Sequence, residues 1–227
     1  MKVELWSDVV CPWCYIGRTR FEKALARWEG RETVELVFRS FELDPEAPVG
    51  SERTLSQALA EKYGLSPAEV ERSHERVTRI AAEEGLAFRL DLARPTNTLA
   101  VHRLLQLAGV RHLRPRAEDR FQRAYFTEGA SFADPETLLR LATEAGLKED
   151  DARRVLAGQA FTLQVRADEK EAAALGARGV PFFVFDRKEA VYGAQSTDAF
   201  VRALSSTASH GPSEETPGGG PPGSPRS

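Results

Sequence analysis

Trp6-Ser7-Asp8-Val9-Val10-Cys11-Pro12-Trp13-Cys14-Tyr15-Ile16-Gly17 is the stretch whose reading decides the fold. Before it, Val3 and Leu5 alternate with Lys2 and Glu4, the period of a strand. After it, Phe21, Ala24, Leu25 and Trp28 recur at helical spacing, and Gly30 breaks the pattern. The two cysteines therefore lie where a strand hands over to a helix. A helix N-terminus presents unpaired backbone N–H groups and a partial positive charge. Both favour thiolate over thiol, and the thiolate is the nucleophile of disulfide exchange. Cys11 stands at that terminus. Cys14, one turn further in, is placed to attack a mixed disulfide formed at Cys11 and to release the partner. Pro12 suits a first helical turn, where its missing N–H costs nothing.

Other uses of the pair fit less well. A bridge across two residues closes a tiny loop and removes little unfolded-state entropy. A structural zinc site needs four ligands, yet these are the chain's only two cysteines, and His74, His102, His112 and His210 lie far apart. No metal is expected. Two inert buried cysteines remain the bland reading, but a strand-to-helix junction is a poor place for them and a good one for redox chemistry.

Outward from this unit, Thr33–Leu43 carries Val34, Val37, Phe38 and Phe41 and reads as a second strand, giving strand–helix–strand with parallel strands. Residues 52–158 read as helical throughout. Ser66-Pro67-Ala68-Glu69 is a capping box. Val70, Val77, Ile80 and Ala81 follow at helical spacing. Val101, Leu104, Leu105 and Ala108 mark another helix that Gly109 is expected to stop. Asp134-Pro135-Glu136 opens a further one, with Gly146 just past its end. Val165, Ala172 and Leu175 share a helix face. Gly179-Val180-Pro181 then precedes Phe182-Phe183-Val184-Phe185, an apolar run that reads as a buried strand. Asp186–Glu189 is a turn, Val191 and Tyr192 open a hairpin partner, and Phe200, Val201 and Leu204 close with a short helix. From about Ser205 the chain is rich in Gly, Pro, Ser and Thr, and 206–227 is expected to be a disordered tail. The order is βαβ, then helices, then αββα.

With 227 residues, 41% of them hydrophobic and 29% charged, a core of normal size is available. The net charge of −3 offers no footprint for nucleic acid. No run approaches the ~18 apolar residues of a membrane span. The N-terminal stretch lacks an apolar signal region, so the expected compartment is the cytoplasm.

CPWCYIG (11–17), FELDP (41–45), NTLAVHRL (97–104), YFTEG (125–129) and GVPFFVFDRKEAVYGAQ (179–195) resemble the DsbA family of thioredoxin-like oxidoreductases, in its cytosolic FrnE-like branch. The resemblance covers about 1–205. It implies a thioredoxin fold of the α/β class with an all-helical domain inserted between its halves. The corresponding segments are 1–51 for the first half, 52–158 for the insertion and 159–205 for the second half. It also implies that the Val180–Pro181 bond is cis and faces the cysteines. Two departures bear on function. Periplasmic members carry a histidine between the cysteines, where this chain has Trp13. Relatives with isomerase or kappa-type glutathione transferase activity carry a serine where this chain has Cys11, which argues for redox chemistry.

The expected site is a groove between the two parts, lined by Cys11, Pro12, Trp13, Cys14, Val180 and Pro181. Cys11 attacks, Cys14 resolves, and Pro181 shapes the backbone that receives substrate. No cofactor beyond the dithiol is expected. Candidate partners are proteins bearing thiols or disulfides, or glutathione, and the chain is expected as a monomer or homodimer. Two further functions stay open. One is a glutathione-dependent isomerase or transferase of the 2-hydroxychromene-2-carboxylate isomerase type; the other is a non-enzymatic client-binding module. Asn97, Thr98, His102 and Arg103 are read as a helix cap at Asn97 with a half-buried histidine. Trp6 and Phe41 are read as core, and the Glu and Arg residues of 66–90 and 111–123 as solvated helix faces.

Overall fold

The structure, a computed structural model, describes residues 1–209. Four strands form one sheet: β1 (Lys2–Ser7), β2 (Glu35–Ser40), β3 (Phe182–Phe185) and β4 (Glu189–Tyr192), in the order β2-β1-β3-β4. β1 pairs in parallel with β2, across helix α1 (Pro12–Arg27), and antiparallel with β3; β3 and β4 form a hairpin. This is the mixed sheet of the thioredoxin fold.

Strand periodicity explains how the sheet is covered. Val3 and Leu5 point to one face, where they pack with Phe183 and Phe185 against Phe21 and Ala24 of α1 and Phe200, Ala203 and Leu204 of α9 (Thr197–Ser209). Trp6, Phe182 and Val184 point to the other face and meet Ala172 of α8 (Thr162–Ala174). Asp168 of α8 fixes that layer. Its carbonyl accepts the Trp6 indole N–H at 2.8 Å, and its carboxylate accepts the Ser40 backbone N–H at 2.9 Å and the Gln106 amide at 2.7 Å. Glu4, also on this face, is buried at 1% exposure and is held by Arg39 and Arg187.

Between β2 and α8 run α2 (Leu55–Tyr63), α3 (Pro67–Glu83), α4 (Leu99–Val110), α5 (Arg114–Phe126), α6 (Pro135–Glu144) and α7 (Glu149–Ala157). Their core is continuous with the β1–α1 corner, since Val9, Tyr15 and Ile16 are buried in the same cluster as Leu104, Leu105, Phe121 and Phe126. The helical layer thus grips the segment that carries the cysteines.

Several boundaries differ from the expectations, each for a physical reason. The second strand is Glu35–Ser40 rather than 33–43. β1 ends opposite Ser40, and the N–H groups of Glu42 and Leu43 are taken by Glu169 and Asp8 side chains instead of a ladder. The insertion is not helical throughout: 84–98 crosses it without a helix, anchored by Phe88 stacked on Phe126 at 4.6 Å. Gly109 does not stop α4. The stop comes at His112 (φ 57°), with His112 N–H on the Gly109 carbonyl and Leu113 N–H on the Ala108 carbonyl, a Schellman cap built without glycine.

Nor are all charges of 111–123 solvated. Arg114 and Glu118 are buried and bonded at 2.8 Å, and Arg120 is buried between Glu128 and Glu144. At the chain's end, α9 continues to Ser209, so 206–209 are helical rather than tail. Thr207 is buried there and donates to Glu189. The remainder of the expected tail, 210–227, lies outside the described residues.

Candidate active site

Cys11 is the N-cap of α1 and Pro12 its first residue. Cys11 has extended backbone angles (φ −89°, ψ 114°), and its carbonyl already accepts the N–H groups of Cys14 at 3.0 Å and Tyr15 at 3.4 Å. The sulfur therefore sits at the positive end of a sixteen-residue helix. Its own N–H is held by the Asp8 carbonyl at 3.1 Å. Cys11 retains 3% exposure, whereas Cys14 retains none. Burial is the largest influence on the Cys14 thiol and pushes its pKa well above the ordinary value; the neighbouring Cys11 adds to this, while the Asp8 backbone and the Ser7 hydroxyl partly offset it.

The segment before β3 closes the site. The Val180–Pro181 bond is cis, and the Val180 carbonyl oxygen lies 3.7 Å from the Cys11 sulfur, which donates to it. Pro181 is buried, and its carbonyl accepts Gly193 N–H at 2.8 Å, tying it to the end of β4. Pro12, Trp13 and Val180 are half-buried around the two sulfurs. Trp13 packs against the core of the helical layer. The structure thus brings Cys11, Cys14, Val180 and Pro181 together across the sheet, with Pro12 and Trp13 forming the turn.

Two residues at this site, Gly17 and Asp8, carry no role in the sequence reading. Gly17 lies one turn beyond Cys14, where a Cβ would stand 3.0 Å from Pro181 Cγ and 3.3 Å from Ala194 Cα. A glycine inside a helix costs about 1 kcal/mol relative to alanine, which was the available signal of a close approach. Asp8 is buried, and its carboxylate accepts the Leu43 N–H at 2.8 Å and the Thr98 hydroxyl at 3.4 Å. His102, expected to be half-buried, is fully buried and sets Nε2 3.3 Å from Asp8 Oδ1. Only tertiary contact reveals that pair.

The neighbouring candidates have structural roles. Asn97 is one residue before the N-cap, Thr98, but its side chain still accepts the Leu99 N–H at 3.0 Å and donates to the Pro45 carbonyl at 2.9 Å. Arg103 donates to the carbonyls of Val155, Gly158 and Ala160 and so fixes the α7–α8 connection. Tyr15 is raised to about 12, mainly by burial and then by Asp119, so it stays a neutral phenol. Trp6 is core, and Phe41 packs half-buried beside it.

A model of the DSBA-like thioredoxin domain matches residues 2–205. The chain belongs to that family. A solved relative of this DSBA-like chain is a probable DsbA oxidoreductase of Streptomyces coelicolor, 45% identical, with a TM-score of 0.90 over 92% of this chain and 91% of that one. An uncharacterised Bacillus subtilis (strain 168) protein, YwbO, is 26% identical over 90% of this chain and 96% of its own length. The cytosolic disulfide reductase DsbM of Pseudomonas aeruginosa, solved with GSH, shares the fold at 20% identity, with a TM-score of 0.64 over 92% and 100% of the two chains. Among the described residues, no helix is long and apolar enough to cross a membrane.

Proposed function

We propose that this DSBA-like chain is a thiol–disulfide oxidoreductase in which Cys11 is the attacking and Cys14 the resolving cysteine. The observation that carries the reading is the asymmetry of the pair. Cys11 is the N-cap residue of α1, with its sulfur beside the Val180 carbonyl, while Cys14 is fully buried one turn further in. In the reducing direction, the Cys11 thiolate attacks one sulfur of a substrate disulfide, forming a mixed disulfide and releasing one substrate thiolate. Cys14 passes its proton to that thiolate and attacks the Cys11 sulfur. The Cys11–Cys14 disulfide forms, the second substrate sulfur leaves as thiolate, and two electrons have moved to the substrate. In the oxidising direction the same steps run backwards onto a substrate dithiol. The raised Cys14 thiol suits this order, since it stays protonated until Cys11 has reacted.

The substrates we propose are protein disulfides or thiols and glutathione, and the compartment is the cytoplasm, the one named for DsbM. The test is reduction of insulin and of oxidised glutathione by the wild type, Cys11→Ser and Cys14→Ser. Loss of turnover in both variants, with covalent complexes accumulating on Cys14→Ser, supports the reading. Full turnover of a glutathione-dependent isomerisation by Cys14→Ser would support the isomerase instead. Client binding indifferent to both substitutions would support a binding module.

A further inference from the structure

His102 is an expensive residue for its position. It is fully buried, and among the described residues its Nδ1 has no hydrogen-bond partner. A leucine there would fill similar space without desolvating a ring nitrogen. Among the described residues, the one hydrogen-bonding partner of the imidazole is Asp8, with Nε2 3.3 Å from Oδ1.

Asp8 in turn bears on both cysteines. Its carbonyl holds the Cys11 N–H at 3.1 Å, and its backbone, with the Ser7 hydroxyl, partly offsets the upward push of burial on the Cys14 thiol. Its carboxylate puts a negative charge behind a site that must hold a thiolate. That charge is spread over the Leu43 N–H, the Thr98 hydroxyl and His102. Leu43 and Thr98 belong to the segment after β2 and to the start of α4. The carboxylate therefore joins three segments where the helical layer meets the sheet. The other ionisable groups facing this cluster are Glu42, which feels His102 and is paired with Arg166 of α8, and Tyr125 of α5, which feels Asp8.

We propose that His102 is a positioning residue of the dithiol site: through Asp8 it holds the turn bearing Cys11, offsets the carboxylate behind it, and so sets the ratio of dithiol to disulfide. The inference rests on the redox reading above. Without the Nε2 contact, the Asp8 charge would act more fully against a Cys11 thiolate. The reduced form would lose stability and the equilibrium would move toward disulfide.

The measurement is the equilibrium protein disulfide + 2 GSH ⇌ protein dithiol + GSSG, read by thiol trapping, beside melting temperature. His102→Leu should shift the constant toward disulfide by about five- to tenfold, the scale of one ordinary lost hydrogen bond. His102→Gln, whose amide can donate near the Nε2 position, should stay within about twofold of wild type. If His102→Leu melts lower yet keeps the wild-type constant, the residue only packs and the proposal is overturned. Should His102→Leu not fold, Asp8→Asn decides. Removing the charge should move the constant toward dithiol, and an unmoved constant overturns the proposal. A wild type that shows no dithiol–disulfide transition at all would instead sink the redox reading itself, an outcome separate from either variant's.

Discussion

Gly17 and Pro181 meet so closely that a Cβ on Gly17 would stand 3.0 Å from Pro181 Cγ. This contact sets how closely α1, with its cysteines, approaches the Val180–Pro181 segment. Gly17→Ala gains helix propensity but must push the two apart by a few tenths of an ångström. We expect a net cost of about 1 kcal/mol and a several-fold slower insulin reduction, because the 3.7 Å approach of Cys11 to Val180 depends on the same spacing. Unchanged rates in a stably folded Gly17→Ala would show that the contact does not govern the site.

Burial separates the two thiols. Alkylation of the reduced protein should modify Cys11 and spare Cys14 at neutral pH, since the Cys14 thiol is buried and raised. Cys14 should label only at strongly alkaline pH or on unfolding. Peptide mapping by mass spectrometry reads this directly, and faster labelling of Cys14 would reverse the assigned roles.

Trp13 is the third test. It offers one indole N–H and no positive charge where periplasmic relatives place a histidine. The potential of the pair should therefore lie between about −120 mV and about −270 mV, the strong-oxidant and thioredoxin ends of the range. Trp13→His should move it toward the oxidising end. Equilibration in glutathione buffers gives both values, and a variant that stays at the wild-type potential would refute the dipeptide's influence.

Glu4 concerns stability. Burial alone would raise its carboxyl, but the hydrogen bonds from Arg187 and Arg39 outweigh it and hold the pKa below its ordinary value. A lowered folded-state pKa contributes stability above the unfolded value of about 4.3, and that contribution is lost as pH falls through the folded one. Glu4→Gln should cost about 2 kcal/mol at pH 7, discounted because both arginines are partly exposed. The gap to wild type should narrow below about pH 4. Urea unfolding at several pH values measures it, and a gap constant down to pH 3 would contradict the assignment.

What could be read from the sequence was what is local or periodic. The alternation of Val3 and Leu5, the helical spacing of Phe21 and Ala24, the FFVF run and the Asp134 cap each depend on a few neighbouring residues, and each stands in the structure. CPWC was readable because its position between strand and helix is itself local. What stayed hidden depends on distant partners. Nothing near Asp8 announces His102, ninety-four residues on, and nothing in the polar run from Arg114 to Arg120 announces that three of its charges are buried. The stop at His112 is not legible in the sequence because nothing local marks a non-glycine residue for a left-handed cap.

The sulfur of Cys11 and the carbonyl it meets at Val180 are 169 residues apart in the chain. On a ribosome adding about 5–20 residues per second, roughly 10–30 s pass between the synthesis of the two. For that interval the nascent chain presents both cysteines without the strand that later flanks β1 and without the segment that closes over them. The reactive pair is thus synthesised well before the segment that shelters it.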